Sequence, residues 1–402
     1  MRKFAAKLIK MNLTERKPVI AINTRHWIPG RMEGIGRFEM NIATELSRLH
    51  PEAEFHWFFD RKPRLGVDLP ENVKIHVLFP PARHPRLYYI WYEWSVPMML
   101  KKIKADIFIS ADNINSLKAH CPTITAIHDL NFVHYPYDLP LTYSSYYNTK
   151  TSRFISKAIK VITVSEFSRN DIIEQYKTPE NKIHVVYNGV ASHFAPLNSW
   201  VISETRFKLT SGKPYFFVLG SIHPRKNLAK TIEAYTLFRK QTNCDYPLVV
   251  SGRELFLNKN LGNILNNNPY RKDIVFTGYL DNKALGETLG SAFALLYMSV
   301  FEGFGVPVIE AFASCVPVVA SDVSSIPEVA GGSALLANPH DVAEIANAMK
   351  KLTDDENLRI SLCEKGMKRA RAFSWTESAE KCWSVIQEAL EESKATSFST
   401  AP

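Results

Sequence analysis

Short runs of β-branched and aromatic residues alternate along the chain with longer stretches of helical spacing. KPVIAINT (17–24), FHWFFD (55–60), VKIHVLF (73–79), ADIFIS (105–110), TITAIHD (123–129), KVITVS (160–165) and KIHVVYNGV (182–190) are runs of the first kind. Between them the pattern predicts a helix from Gly36 to about Leu49, and another in SEFSRNDIIEQY with Ser165 as its N-cap. Strands separated by helices imply a parallel sheet flanked by helices.

The pattern weakens over the polar segment from Ala191 to Gly212, which reads as a connector, and then restarts. PYFFVLGS (214–221), YPLVVSG (246–252), DIVFTGYL (273–280), AFALLYMS (292–299) and VPVVASD (316–322) predict a second set of strands. Helices are expected at about 341–352 and 355–372, and a long one in WTESAEKCWSVIQEALEES. The tail KATSFSTAP is small and polar, and disorder is expected there. A chain of 402 residues suits two such α/β units.

Other properties narrow the class. No apolar run reaches the roughly 18 residues of a spanning helix, and the aromatic run Leu87 to Leu100 is broken by Glu93. The opening MRKFAAKLIKMNLTERK is basic but lacks an apolar centre, so it does not read as a secretory signal. Five dispersed cysteines without a CxxC pair imply reduced thiols and a cytoplasmic location. Residues 1–200 hold 27 Lys+Arg against 18 Asp+Glu, whereas residues 201–402 hold 22 of each. The whole net charge of +9 therefore sits in the first half, which implies either a solvated basic surface or an acidic partner. Nucleic acid is not expected, because no zinc spacing or RNP-type motif accompanies the charge.

Candidate chemistry concentrates at two turns of the second half. In SVFEGFGVPVIEAFASCVPVVASD, starting at Ser299, Glu302 and Glu310 flank a Gly-Phe-Gly turn between a strand and a helix with Pro307 in its first turn. Ligands of open parallel sheets bind beyond the carboxyl ends of strands, and a helix start offers backbone N–H groups to phosphate or sugar oxygens. Carboxylates beside an anion site make sense if they accept hydrogen bonds from sugar hydroxyls. The bland reading, acidic residues complementing a helix dipole, does not account for the glycines between them. In LGSIHPRKNL, Arg225 and Lys226 also follow a strand and precede a helix. Two cations at a helix start are electrostatically misplaced unless an anion such as a diphosphate lies in front of them.

Together these pieces resemble the family 4 retaining glycosyltransferases. The matching segments are EGFGVPVIEA, PRKN, IPEVAGGSALLANPHD, and in the first half IHDL, VSEFS and YNGV. The resemblance implies an α/β fold of GT-B type: two Rossmann-like parallel-sheet domains facing a cleft, with a C-terminal helix crossing back to the first domain. The expected divisions are a tail at 1–16, an acceptor-side domain at 17–195, a donor-binding domain at 213–375, a returning helix at 376–392 and a disordered tail at 393–402.

By the same resemblance, Arg225 and Lys226 bind the donor diphosphate and Glu310 the ribose. Glu302 contacts the donor sugar, and the backbone N–H groups of Phe304, Gly305 and Val306 close on sugar and phosphate. Gly278, Tyr279 and Leu280 lie near the nucleobase, with SGRE (251–254) leading into the cleft, and Gly34 and Gly36 in MEGIGRFEM lie over the phosphates. His128, next to Asp129, would be a positioning group for the transferred sugar or the acceptor hydroxyl. The implied activity is metal-independent retaining transfer of a hexosyl group, with a mannosyl donor such as GDP-mannose mildly preferred and glucosyl, galactosyl and N-acetylhexosaminyl donors left open. The acceptor would be a hydroxyl of a glycan or lipid-linked molecule in polysaccharide or cell-surface glycan biosynthesis, with no cofactor beyond the donor.

Two features depart from the family or add to it. Cys315 stands where glycine is usual. Trp91 and Trp94 lie near Lys101, Lys102 and Lys104, a combination that suits peripheral contact with an anionic membrane at its inner face, or alternatively a packed helix. Rival readings are a nucleotide-sugar epimerase of the same fold and a non-catalytic sugar-nucleotide-binding or scaffold protein. A nicotinamide-binding fold is disfavoured. It would want G-x-G-x-x-G directly after the strand, whereas about nine residues intervene here and Glu39 takes the third glycine position.

Overall fold

The computed structural model describes residues 16–28, 34–63, 68–253 and 259–399. The expected tail at 1–16 and the ends of the segments MEGIGRFEM and SGRE, including Glu254, fall wholly or partly outside them. Two parallel sheets form. The first has seven strands in the order β3-β2-β1-β4-β5-β6-β7. These are β1 (Val19–Asn23), β2 (Glu54–Phe59), β3 (Val73–Val77), β4 (Ile107–Ser110), β5 (Thr123–Ala126), β6 (Lys160–Thr163) and β7 (Ile183–Val185). The second has six, in the order β10-β9-β8-β11-β12-β13. They are β8 (Phe216–Leu219), β9 (Leu248–Ser251), β10 (Ile274–Gly278), β11 (Ala294–Tyr297), β12 (Val318–Ser321) and β13 (Leu335–Ala337).

All five pairings of the second sheet are parallel. Strands β8, β9, β11 and β12 are apolar along most of their length because helices cover both faces, leaving no solvated side to alternate toward. Each sheet also reverses its direction of growth once. In the first the chain steps from β1 outward and returns at β4; in the second it steps from β8 and returns at β11. At such a reversal the connections leave in opposite directions and open a crevice at the strands' carboxyl ends.

The described residues divide into two compact units. One contains residues up to Ala126, Thr151–Val161 and the chain from Ala379 onward; the other contains Ile127–Lys150 and Ile162–Ser378. The last helix, Trp375–Ser399, continues beyond the expected start of a disordered tail. In the first unit this helix is fastened by a stack of His50 on Trp383, with centroids 3.9 Å apart, and by Lys160 bonded to Glu392.

Two local expectations meet a different outcome, and the departure at Cys315 is accommodated. The connector after Ala191 contains a helix, Ser199–Thr210, capped by the Asn198 side chain at one end and by left-handed Ser211 at the other. Only Thr210 of this helix is buried, so no apolar face marks it in the sequence. Trp91 is part of the core, with its indole N–H on the Leu78 carbonyl, while Trp94 is exposed; the two are therefore not one interfacial pair. Cys315 adopts the left-handed φ of 57° that a glycine takes without strain, and β12 still pairs in register with β11 and β13. Among the described residues no helix is long and apolar enough to cross a membrane.

Candidate active site

The reversal between β8 and β11 brings the two motif turns of the second sheet together. After β8, a short 3₁₀ turn (Pro224–Lys226) is capped by His223, whose Nδ1 accepts the Arg225 N–H, and Asn227 starts the next helix in a left-handed conformation. After β11 the chain turns through Glu302 and Gly305 into the helix Val306–Ala313. Glu302 then lies between both cations, 2.6 Å from Arg225 and 2.5 Å from Lys226. Arg225 also donates to the Phe301 carbonyl at 2.8 Å, and Lys226 donates to the Tyr297 hydroxyl at 2.9 Å.

Glu302 and Tyr297 are buried and the side chains of Arg225 and Lys226 keep 21% and 15% of their surface exposed, so the charges act with water only at the edge of the group. Burial alone would raise the Glu302 carboxyl; Arg225 and Lys226 more than reverse that and hold it at about 2. Burial pulls Lys226 down from the ordinary lysine range despite Glu302 beside it. Tyr297 is pushed well up by burial and stays a phenol. Asp129 adds negative charge felt by both cations.

The glycines of the turn have separate reasons. A Cβ on Gly303 would collide with the backbone carbonyl oxygen of His128, so the IHDL segment can approach only a glycine. Gly305 has φ of 104°, in the left-handed range, and a Cβ there would meet Ile326. The VSEFS segment grips the same turn, since Ser165 and Ser168 donate to the Gly303 carbonyl at 2.7 and 3.3 Å. Ser165 is also the N-cap of the helix Glu166–Tyr176, as its position predicts. Glu328 of IPEVAGG accepts the backbone N–H groups of Glu166 and Phe167 at 2.9 and 3.0 Å.

The other candidates stand outside the Arg225–Lys226–Glu302 triad. Glu310 is buried in the helix after Gly305, and the charges acting most strongly on Glu302 come from Arg225 and Lys226 rather than from it. His128 is buried, with its carbonyl accepting from Ser168. Phe304 packs on Tyr187 and Phe373, and Val306 begins the helix. Gly278 closes the edge strand β10 at φ of 69°, followed by half-exposed Tyr279, over which the Arg253 guanidinium sits 5.8 Å from the ring centre, and then by Leu280.

Gly34 and Gly36 form the first turn of the helix Gly34–Leu49 in the other unit, where a Cβ on Gly36 would strike the His26 carbonyl. That unit has its own buried cluster at the β1/β4 reversal. Arg25 pairs with Asp112, which accepts the Tyr92 hydroxyl at 2.5 Å, and Glu39 accepts the His26 N–H at 2.8 Å. Burial, reinforced by Asp112, raises the Glu39 carboxyl well above its ordinary range.

Sequence reasoning missed Tyr297, His223, Asp112 and Tyr92. The available signal was position: Tyr297 ends β11, His223 follows β8 by four residues and Asp112 follows β4 by two.

Comparison with known proteins places the chain in a family. Residues 201–369 match the family model described as glycosyl transferases group 1, and residues 32–193 match that of glycosyltransferase family 4. The chain belongs to the family 4, group 1 glycosyltransferases. Its relatives include O-antigen chain mannosyltransferase B of Escherichia coli, 29% identical over 253 residues, which are 63% of this chain and 66% of that protein. O-antigen chain mannosyltransferase RfbU of Salmonella typhimurium is 26% identical over 67% of this chain and 71% of its own. The chain spans less than two thirds of the first relatives it matches, and only 31% of one serotype-specific mannosyltransferase WbdA of Escherichia coli.

Among solved structures, sucrose-phosphate synthase of Thermosynechococcus elongatus aligns with a TM-score of 0.76 at 16% identity, over 94% of this chain and 100% of that one. WaaG, a glycosyltransferase involved in lipopolysaccharide biosynthesis, aligns at 0.73 and 16%, over 91% and 99%. These likenesses establish the fold as GT-B.

Proposed function

We propose that this chain is a retaining glycosyltransferase that moves a hexosyl group from a nucleoside-diphosphate sugar to a hydroxyl of a glycan or lipid-linked acceptor. A mannosyl donor is preferred, because the curated relatives above are mannosyltransferases of O-antigen synthesis. The observation that carries the reading is the pair of half-buried cations, Arg225 and Lys226, sharing buried Glu302 at the β8/β11 reversal.

A diphosphate at this place would take up hydrogen bonds from the guanidinium and the ammonium, and Glu302 would turn to hydroxyls of the sugar. As the bond from the sugar's anomeric carbon to the diphosphate breaks, negative charge grows on the departing oxygen, and the two cations are already in place to stabilise it. The acceptor oxygen forms the new bond on the same face, and its proton passes to that phosphate oxygen. Two fixed cations make a metal unnecessary for this neutralisation. Glu310 would hold the ribose, Gly278 to Leu280 the base, the amides of Phe304 to Val306 the sugar and phosphate, and His128 the transferred sugar or acceptor. Residues 17–195 would serve the acceptor and 213–375 the donor, with 376–392 the returning helix. The location consistent with a lipid-linked acceptor is the inner face of a membrane.

Calorimetric titration with GDP, UDP and ADP tests the donor site, with Lys226→Ala alongside. Preference for one nucleotide, lost in the variant, supports it; equal binding by the variant, or no binding, refutes it. Transfer from the matching sugar nucleotide in the presence of a chelator tests metal independence, and the anomeric configuration of the product by NMR tests retention.

A further inference from the structure

The stretch between Phe79 and Lys104 carries an outward face that the donor chemistry does not explain. Phe79 is 82% exposed, Met98 68%, Tyr89 56%, Trp94 55% and Ile90 44%. Single exposed apolar residues are ordinary, whereas five within twenty positions, four of them on one interrupted helix, are not. They are also connected. The Lys118 ammonium lies 4.7 Å from the Trp94 ring centre and 5.9 Å from that of Tyr89, while Phe79 and Met98 line one open groove of about 320 Å³.

The helix itself arranges this face. It runs Pro85–Ile90 and Val96–Ile103 with a π-turn, Trp91–Ser95, between the two pieces. In an uninterrupted α-helix, residues eight apart such as Ile90 and Met98 have rotated by about 80°. The wider π-turn takes back part of that rotation and draws Ile90, Trp94 and Met98 toward one stripe. The opposite side, with Tyr88, Trp91, Tyr92, Val96 and Leu100, is buried.

Charge completes the pattern. The one carboxylate from 79 to 104 is Glu93, buried and accepting the backbone N–H groups of Leu117 and Lys118 at 3.1 and 3.0 Å. The exposed cations are Arg83, Arg86, Lys101, Lys102, Lys104 and, from the neighbouring loop, Lys118. The stretch thus presents apolar side chains ringed by cations, with no exposed acid of its own.

We propose that this face docks on an anionic lipid bilayer, with Phe79, Trp94 and Met98 entering the interfacial layer and the lysines and arginines meeting headgroup phosphates. The single sign of the rim and the absence of counter-charge select an anionic surface. Unbranched and aliphatic anchors such as Met98 and Ile90 suit acyl chains better than stacked bases. The proposal deepens the reading of a lipid-linked acceptor but uses none of the donor-site residues.

The test is sedimentation of the full chain with vesicles of phosphatidylcholine alone and of phosphatidylcholine with phosphatidylglycerol, at low and high salt. Salt-sensitive binding to the anionic vesicles is expected. Trp94→Ser with Met98→Ser, and separately Lys101→Glu with Lys102→Glu, should each weaken it by about tenfold or more. Thermal midpoint and nucleotide binding in solution should be unchanged, so that failure of docking is distinguishable from failure of the donor site. No binding by the natural chain, or binding that survives both double variants, overturns the proposal. So does a Trp94→Ser, Met98→Ser variant that loses self-association instead of vesicle binding, since it would assign the face to a second copy of the chain.

Discussion

Replacing Glu302 by glutamine isolates the electrostatic core of the site. Its carboxyl is held at about 2 against an ordinary value of 4.5, which corresponds to roughly 3 kcal/mol of folding stability near neutral pH. A second route gives a similar figure. Glu302→Gln leaves the half-buried Arg225 and Lys226 without their counter-charge; breaking a buried ion pair from one side costs about 3–5 kcal/mol, and the lower end applies where water still reaches the cations. Because the folded value is depressed, this contribution is complete above the unfolded value and is lost as the pH falls from about 4.5 toward 2.

The assay is urea unfolding of the natural chain and the variant over a pH series. The gap should be about 3 kcal/mol at neutral pH and should shrink in acid. A gap that stays below about 1 kcal/mol, or one that does not change with pH, refutes the reasoning. Lys226→Met provides the contrast: Glu302 keeps Arg225 as its counter-charge and burial already disfavours the ammonium, so stability should change by less than about 1.5 kcal/mol while nucleotide affinity falls.

The other predictions probe the frame around the triad. Gly303→Ala should cost about 1–3 kcal/mol, read as a lowered thermal midpoint, because its Cβ meets the His128 carbonyl and neither backbone can yield freely. Tyr297→Phe keeps the ring and removes the hydroxyl that holds Lys226, so it should cost about 0.5–1.5 kcal/mol of stability and weaken nucleotide binding in calorimetry. Glu39→Gln should instead stabilise the chain at neutral pH. The raised carboxyl makes folding less favourable as the pH climbs above about 4.5, and the amide does not titrate; a midpoint unchanged at pH 7 would contradict this.

The strands were legible because period and length alone mark a buried parallel sheet, and twelve of the thirteen described strands coincide with runs the pattern predicts, β2 beginning one residue early. The exception, β13, is three residues long at the edge of its sheet, within a segment read only as a motif. The helix Ser199–Thr210 was hidden for a different reason: its ends are fixed by Asn198 and Ser211, and it shows almost no buried face to write a period into the sequence. Tertiary position, not composition, separates Trp91 from Trp94, since three residues along this helix turn one ring into the core and leave the other outside.

At the candidate site the sequence marks residue types and order, while the reversal of each sheet decides which residues meet. Arg225 and Lys226 are 76 or more residues before Glu302 and meet it because β8 and β11 are neighbours. The same rule places Arg25 after β1 against Asp112 after β4, a pairing no local motif announces. The Gly-Phe-Gly spacing between the two glutamates then has a physical cause. Gly303 is required from outside by the approach of the His128 backbone, and Gly305 from within by its own φ, so each glycine answers a different constraint on one turn. Only the second is local, which is why a turn is foreseeable from the sequence and the contact that tightens it is not.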